Sequence, residues 1–136
     1  MDILTDLTEF NNIGLLALRL GIAVSFLYHG LDKLKMWKME PSEEMPASML
    51  KQLRLLSIVE PLGAVALISG FLTQLAAIGF TIIMLGAIDL KVRQMQTKFG
   101  EPGGWELDVV LLAGCTALII TGAGTISFDY ALWGIA

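Results

Sequence analysis

Four long apolar segments constrain this chain more than any other feature. They cover residues 13–34, 53–72, 75–90 and 105–122, with bounds that are about right to a few residues. The last two are slightly shorter than a typical membrane-spanning helix. An α-helix needs about 20 apolar residues to cross the hydrocarbon core of a bilayer. In lipid each backbone polar group must be satisfied internally, and the alternating pattern of barrel strands is absent. The sequence therefore predicts an all-α integral membrane four-helix bundle, formed by a single domain over residues 1–136.

Composition points the same way. The 136-residue chain is 55% hydrophobic and only 16% charged. A soluble domain of this length exposes too much of its surface to hide so large an apolar fraction, whereas membrane lipid is a natural partner for it. The net charge of −4 argues against a nucleic-acid binder, because phosphate recognition needs clustered Lys and Arg.

Few cofactor classes fit the residue inventory. The chain has one cysteine, Cys115, and one histidine, His29. These cannot supply a Cys-x-x-Cys redox pair, a zinc or iron–sulfur ligand set, or bis-histidine haem ligation. No Gly-rich phosphate loop follows a strand. We therefore predict no metal site and no intrinsic cofactor.

The basic residues predict the topology. Apart from Arg19, every Lys and Arg lies in or beside the segments 32–52 and 91–104. The chain is predicted to cross the inner (cytoplasmic) membrane several times. The positive-inside rule then places both loops in the cytoplasm and both termini on the outer side of this membrane. Residues 2–12 carry apolar residues at helical spacing among acidic ones, which predicts an amphipathic segment at the interface.

Ionisable residues at membrane depth mark the candidate site. On each predicted helix such a residue shares a face with small residues, which allow close helix approach, so these faces should point inward. In an antiparallel bundle most of these residues meet at one end, while Arg19 lies deeper towards the other. The predicted pocket residues are Arg19, His29, Lys33, Glu60, Asp89, Trp105 and Glu106.

His29 and Glu60 support the most specific hypothesis. Their matching depth and inward faces predict side chains within hydrogen-bonding or one-water reach, because an unpaired ionisable group is costly in lipid. Such a pair could move protons, or hold a quinone whose ring lies near His29, Glu60 and Trp105. The structural alternative is that Glu60 pairs with His29 or Lys33 only to lock the helices. Arg19 is expected to extend towards the N-terminal interface.

Four sequence motifs occur in order along the chain: Leu18-Arg19-Leu20-Gly21 with Phe26 to Lys33, Glu60-Pro61-Leu62-Gly63 with Leu67 to Thr73, Gly104-Trp105-Glu106, and Gly122 to Asp129. Together they resemble the DoxX family of small four-helix membrane proteins. The resemblance implies a bacterial or archaeal membrane protein, in a family named after subunits of a thiosulfate:quinone oxidoreductase. It maps the family's usual functional positions onto Arg19, His29, Lys33, Glu60 and Glu106, while Asp89 stands where many relatives have a histidine.

The leading functional hypothesis is a membrane subunit or anchor of a quinone-linked oxidoreductase complex. In this hypothesis the chain contains a polar intramembrane pocket, for which quinone is a possible ligand. Its loop 32–52 binds an oxidoreductase or a soluble partner subunit. One alternative is a non-catalytic scaffold or binding module that docks a soluble partner. A second is an oligomeric small-molecule transporter. The sequence leaves open whether the chain is an enzyme, which substrate it serves and whether it forms a homo-oligomer.

Overall fold

The structure is a computed structural model that describes residues 10–135. Within that range the chain is helical and contains no strand. The long helices are α1 (Asn11–Asp32), α2 (Ala47–Ser69), α3 (Thr73–Asp89) and α4 (Glu106–Thr121), followed by the short α5 (Phe128–Trp133). A 3-10 helix, Lys33–Lys38, continues α1, and a π-helical turn, Leu90–Gln94, continues α3. The predicted all-α membrane four-helix bundle is confirmed.

The helices are apolar on the outside as well as the inside. Large side chains such as Val24, Leu62, Leu75, Ile82 and Val110 are each more than 60% exposed. In water this surface would aggregate, whereas in a bilayer it contacts lipid tails. Among the described residues, three helical segments are long and apolar enough to cross a membrane: Asn11–Lys38, Ala47–Ser69 and Thr73–Gln94.

The fourth helix is shorter than the others. α4 has 16 residues, and at 1.5 Å per residue it extends only ~24 Å, against about 30 Å for a hydrocarbon core. The chain after α4 is therefore still close to membrane depth. Gly122, Ala123 and Gly124 are buried in the bundle rather than exposed beyond its end.

The loop between α1 and α2 is shorter than predicted. The 3-10 helix extends the first segment to Lys38, and α2 begins at Ala47 directly after Pro46, so only residues 39–46 lie outside helices. A proline favours the start of a helix because its missing N–H would be unpaired there anyway. Most of the predicted amphipathic segment 2–12 lies outside the described residues.

The core forms around a pair of stacked aromatic rings. Phe26 of α1 and Phe80 of α3 lie with ring centroids 3.6 Å apart and nearly parallel planes. Ala64, Ala77 and Cys115 are fully buried around them. The predicted inward faces are correct for α2 but wrong for α3 and α4, where small residues such as Gly86 and Ala113 are exposed. The small residues on those two faces therefore do not mark the buried side of α3 or α4.

The four helices associate as two tight pairs, α1 with α2 and α3 with α4. Contacts between the two pairs are less extensive. Because neighbouring helices are antiparallel, α1 and α3 finish where α2 and α4 begin. We call this the loop end of the bundle. The opposite end, with the α2–α3 turn and the segment after α4, is the turn end.

Candidate functional site

An ion pair between Lys33 and Glu60 is the centre of the candidate site at the loop end. Lys33 Nζ donates hydrogen bonds to Glu60 Oε1 at 2.7 Å and Oε2 at 2.6 Å. The Glu60 side chain is 2% exposed and that of Lys33 is 23% exposed. A carboxylate buried to this extent needs a counter-charge and hydrogen bonds to both oxygens. The pair ties the 3-10 helix after α1 to the middle of α2.

A close helix crossing positions this ion pair. Gly30 of α1 packs against α2 so closely that an added methyl group would lie 2.5 Å from Pro61 Cδ and 2.9 Å from Glu60 Cβ. Glycine is therefore required at this crossing. Lys33 follows Gly30 by about one helical turn, which places it on the same side of the helix and over the Glu60 carboxylate.

His29 does not take part, and the predicted His29–Glu60 pair is wrong. The imidazole is exposed and packs edge-on against Tyr28, with ring centroids 5.6 Å apart. Gly30, the next residue along α1, occupies the helix crossing, so His29 is turned away from α2. The structural alternative in which Glu60 pairs with Lys33 is the arrangement observed.

The other predicted residues share the loop end with Glu60 but do not form one pocket with it. Asp89 is at the surface and pairs with Arg93 Nε at 2.8 Å. Trp105 is half-buried, and its ring meets the Phe99 ring edge-on at 4.7 Å. Glu106 is exposed in the first turn of α4. The predicted depths of these residues are consistent with the antiparallel order, but their predicted faces are wrong.

A second ion pair, which sequence reasoning missed, joins α3 to α4. Lys91 Nζ lies 2.7 Å from Asp108 Oδ2 and also donates to the Gly104 carbonyl at 3.1 Å. Asp108 is 6% exposed. The signal in the sequence was an acidic residue inside an apolar helix, since such a residue requires a cation nearby. Each tight helix pair is thus joined at the loop end by one lysine and one buried carboxylate.

At the turn end, Arg19 binds the segment that follows α4. Its Nη1 donates to the Ala123 carbonyl at 2.9 Å and its Nη2 to the Ile126 carbonyl at 2.7 Å. Arg19 is 1% exposed, so the expectation that it extends to the interface is wrong. Irregular backbone at membrane depth is tolerated only where protein groups satisfy it, and Arg19 does so here.

Asp129 also stabilises the turn end, a role that sequence reasoning did not predict. Its carboxylate accepts the backbone N–H of Leu72 at 2.7 Å and of Thr73 at 2.9 Å, while its own N–H donates to the Gly70 carbonyl at 2.8 Å. It therefore supplies the acceptors that the first turn of α3 lacks. Arg19 and Asp129 together fasten the C-terminal segment to the bundle.

Comparison with known families places these contacts in context. A sequence model of the DoxX family matches residues 14–93, which is 80 of the 136 residues. The chain belongs to the DoxX family. The match includes Arg19, Gly30, Lys33 and Glu60, so the crossing and ion pair of α1 and α2 lie within the DoxX region. It ends before α4, and the motifs at 104–106 and 122–129 lie outside it. Searches of curated proteins and of solved structures give no match to this DoxX chain.

Proposed function

We propose that this DoxX protein is the membrane anchor subunit of a quinone-linked oxidoreductase complex. Membership in a family named after subunits of such an enzyme supports the proposal. The buried carboxylates Glu60 and Asp108 are engaged by lysines that hold the helices together. In this proposal the bundle supplies a rigid membrane platform, and the redox cofactor resides in a partner subunit.

The single observation that carries the proposal is the way the segment 33–46 is fixed to α2. We call this segment the strap. Arg54 donates from Nε to the Met36 carbonyl at 3.0 Å and from Nη2 to the Met39 carbonyl at 2.7 Å. Trp37 Nε1 donates to Ser57 Oγ at 2.9 Å. These contacts hold the strap in one conformation at the loop end.

The strap presents an ordered surface of the kind that binds proteins. Trp37 is 53% exposed and Met39 is 39% exposed, and the Arg54 guanidinium lies over the Trp37 ring, with its Cζ 5.8 Å from the ring centroid. Tryptophan, methionine and arginine are enriched in protein interfaces. The acidic residues Glu40, Glu43 and Glu44 are exposed alongside them. Because the surface is already ordered, binding a partner costs less conformational entropy.

Affinity purification tests this proposal. Tagged chain, extracted from its native membrane in mild detergent, should bring down a cofactor-containing subunit. Arg54→Ala removes both hydrogen bonds to the strap and should lower partner recovery about tenfold or more. Arg93→Ala is the matched control, because it breaks only the exposed pair with Asp89 and should leave recovery unchanged. Equal recovery with both variants would contradict docking through the strap.

Topology is a separate expectation of this proposal. With loops 32–52 and 91–104 in the cytoplasm, the strap would meet a cytoplasmic partner, and both termini would lie outside the inner membrane. Alkaline phosphatase, which is active only outside the cytoplasm, should be active when fused to the C-terminus and inactive when inserted at residue 40. The reverse pattern would show that the orientation is inverted. Activity at neither or both positions would contradict an even number of spans.

A non-catalytic scaffold is the second candidate function. It is favoured by the engagement of both Glu60 oxygens by Lys33, which leaves that carboxylate committed to helix packing. In this case the strap would bind a soluble partner that carries no redox cofactor. The visible spectrum of the copurified partner separates the two candidates, because absorbance from a redox cofactor supports the anchor function and its absence supports the scaffold.

A further inference from the structure

The C-terminal segment forms an exposed apolar surface at the turn end. α5 buries only Asp129, and three of its large side chains are each more than half exposed: Phe128, Leu132 and Trp133. The Trp133 ring stacks on the ring of Phe71, which lies in the turn between α2 and α3, with the two centroids 5.7 Å apart. We call residues 126–135 together with Phe71 the collar.

Two buried charged groups hold the collar against the bundle. Arg19 Nη2 donates to the Ile126 carbonyl, and the Asp129 carboxylate accepts the backbone N–H of Leu72 and of Thr73. Arg19 is 1% exposed and Asp129 is 8% exposed, so both groups are directed inward. The apolar surface of the collar therefore has a fixed position, at the level of the first turn of α3.

The chain stretches that form the turn end carry no exposed charge. In residues 10–28, 61–88 and 109–135 the only charged residues are Arg19 and Asp129, the two buried groups. The loop end, by contrast, exposes Lys, Arg and Glu side chains. Charged side chains are normally among the most exposed residues of a surface that faces water. Their absence from the described part of the turn end, beside exposed aromatic rings, indicates that lipid covers the collar.

The depth of the collar supports the same conclusion. Because Glu106 is charged and exposed, the start of α4 lies among the headgroups of the loop end. α4 then extends ~24 Å into a hydrocarbon core of about 30 Å, which leaves Thr121 about 6 Å below the opposite headgroups. The chain continues from this depth into the collar. The collar meets α3 at Thr73, within one turn of Leu75, which is 64% exposed and faces lipid.

We propose that the collar is embedded in the bilayer leaflet at the turn end and binds lipid there. Its surface continues the lipid-facing surface of the helices. Tyr130 and Trp133 have amphipathic rings, which favour the boundary between acyl chains and headgroups. Phe128 and Leu132, whose side chains have no polar atom, contact the acyl chains. The C-terminal segment is thus a membrane element and not an extramembrane tail, and a soluble partner reaches the chain at the loop end.

Depth-dependent fluorescence quenching tests this assignment in the full chain. Trp37→Phe combined with Trp105→Phe leaves Trp133 as the only tryptophan. The protein is reconstituted in phosphatidylcholine whose acyl chains carry bromine either near the headgroups or near the bilayer centre. We expect the shallow bromines to quench Trp133 at least about twofold more than the deep ones. Aqueous iodide should quench it little.

Two reference tryptophans calibrate the measurement, each placed in the same background with Trp133→Phe added. Ile82→Trp occupies a lipid-facing position near the middle of α3 and should be quenched most by the deep bromines. Glu44→Trp occupies an exposed position in the strap and should be quenched by iodide and by neither lipid. If Trp133 behaves like Glu44→Trp, the collar faces water and the proposal is overturned. If neither lipid nor iodide quenches Trp133, protein covers the collar, which also overturns it.

A second measurement protects the test against misfolding of the background. Trp37→Phe removes the hydrogen bond from Trp37 to Ser57, so the background variant must be monodisperse. If it is not, the difference in quenching between the wild-type chain and Trp133→Phe reports the depth of the same ring. The chain is reconstituted alone, so the result does not depend on the partner subunit of the proposed complex.

Discussion

Lys33→Met should lower the free energy of unfolding by about 3–5 kcal/mol, because it leaves the Glu60 carboxylate buried without its counter-charge. Methionine keeps most of the side-chain volume, so the loss reports the charge rather than a cavity. The measurement is reversible unfolding in mixed detergent micelles, followed by circular dichroism.

Two further variants make this test specific. Lys35→Met breaks only the exposed pair with Asp32 and should change the unfolding free energy by less than about 1 kcal/mol. The double variant Lys33→Met with Glu60→Leu should recover most of the lost stability, because an apolar pair can replace a buried ion pair. If Lys33→Met lowers the free energy of unfolding by no more than Lys35→Met does, the ion pair does not hold α1 to α2.

Arg19→Met should have a comparably large effect at the other end of the bundle. It removes the donors to the Ala123 and Ile126 carbonyls. A buried polar group without a partner costs about 1–3 kcal/mol, so the two together predict a loss of about 2–6 kcal/mol. The segment after α4 should also come loose, because Arg19 binds it at two points.

Limited proteolysis distinguishes a local change from global unfolding. In Arg19→Met, cleavage within residues 122–133 should accelerate while α1 to α3 remain protected. Arg93→Met is the control, because the Arg93 side chain is 79% exposed and pairs with the exposed Asp89 side chain on α3. Unchanged cleavage of the C-terminal segment in Arg19→Met would show that this arginine does not hold it.

The bundle and the depths of its polar residues follow from the sequence. Hydropathy and segment length predict the helices, because no other backbone arrangement in this chain satisfies its polar groups in lipid. Antiparallel order then places Lys33, Glu60 and Asp108 at the same end. The helical faces are harder to predict. In a membrane both sides of a helix are apolar, so periodicity does not show which side is buried.

Particular contacts depend on neighbours that are distant in the chain. Gly30 selects Lys33 over His29 as the partner of Glu60, because the close crossing against Pro61 sets the rotation of α1. Arg19 and Asp129 meet the turn end only because α4 is short and the following segment turns back into the bundle. No local pattern in the sequence encodes either arrangement.

The anchor function is tested most directly by the visible spectrum of the complex purified through the tagged chain. The proposal predicts absorbance from a cofactor in the partner, and a change in that absorbance when a short-chain quinol is added. It also predicts that Arg54→Ala lowers the signal while Arg93→Ala retains it, and that the chain alone absorbs only through its aromatic residues. An eluate with no absorbing partner, or haem or flavin held by the chain itself, would contradict the proposal.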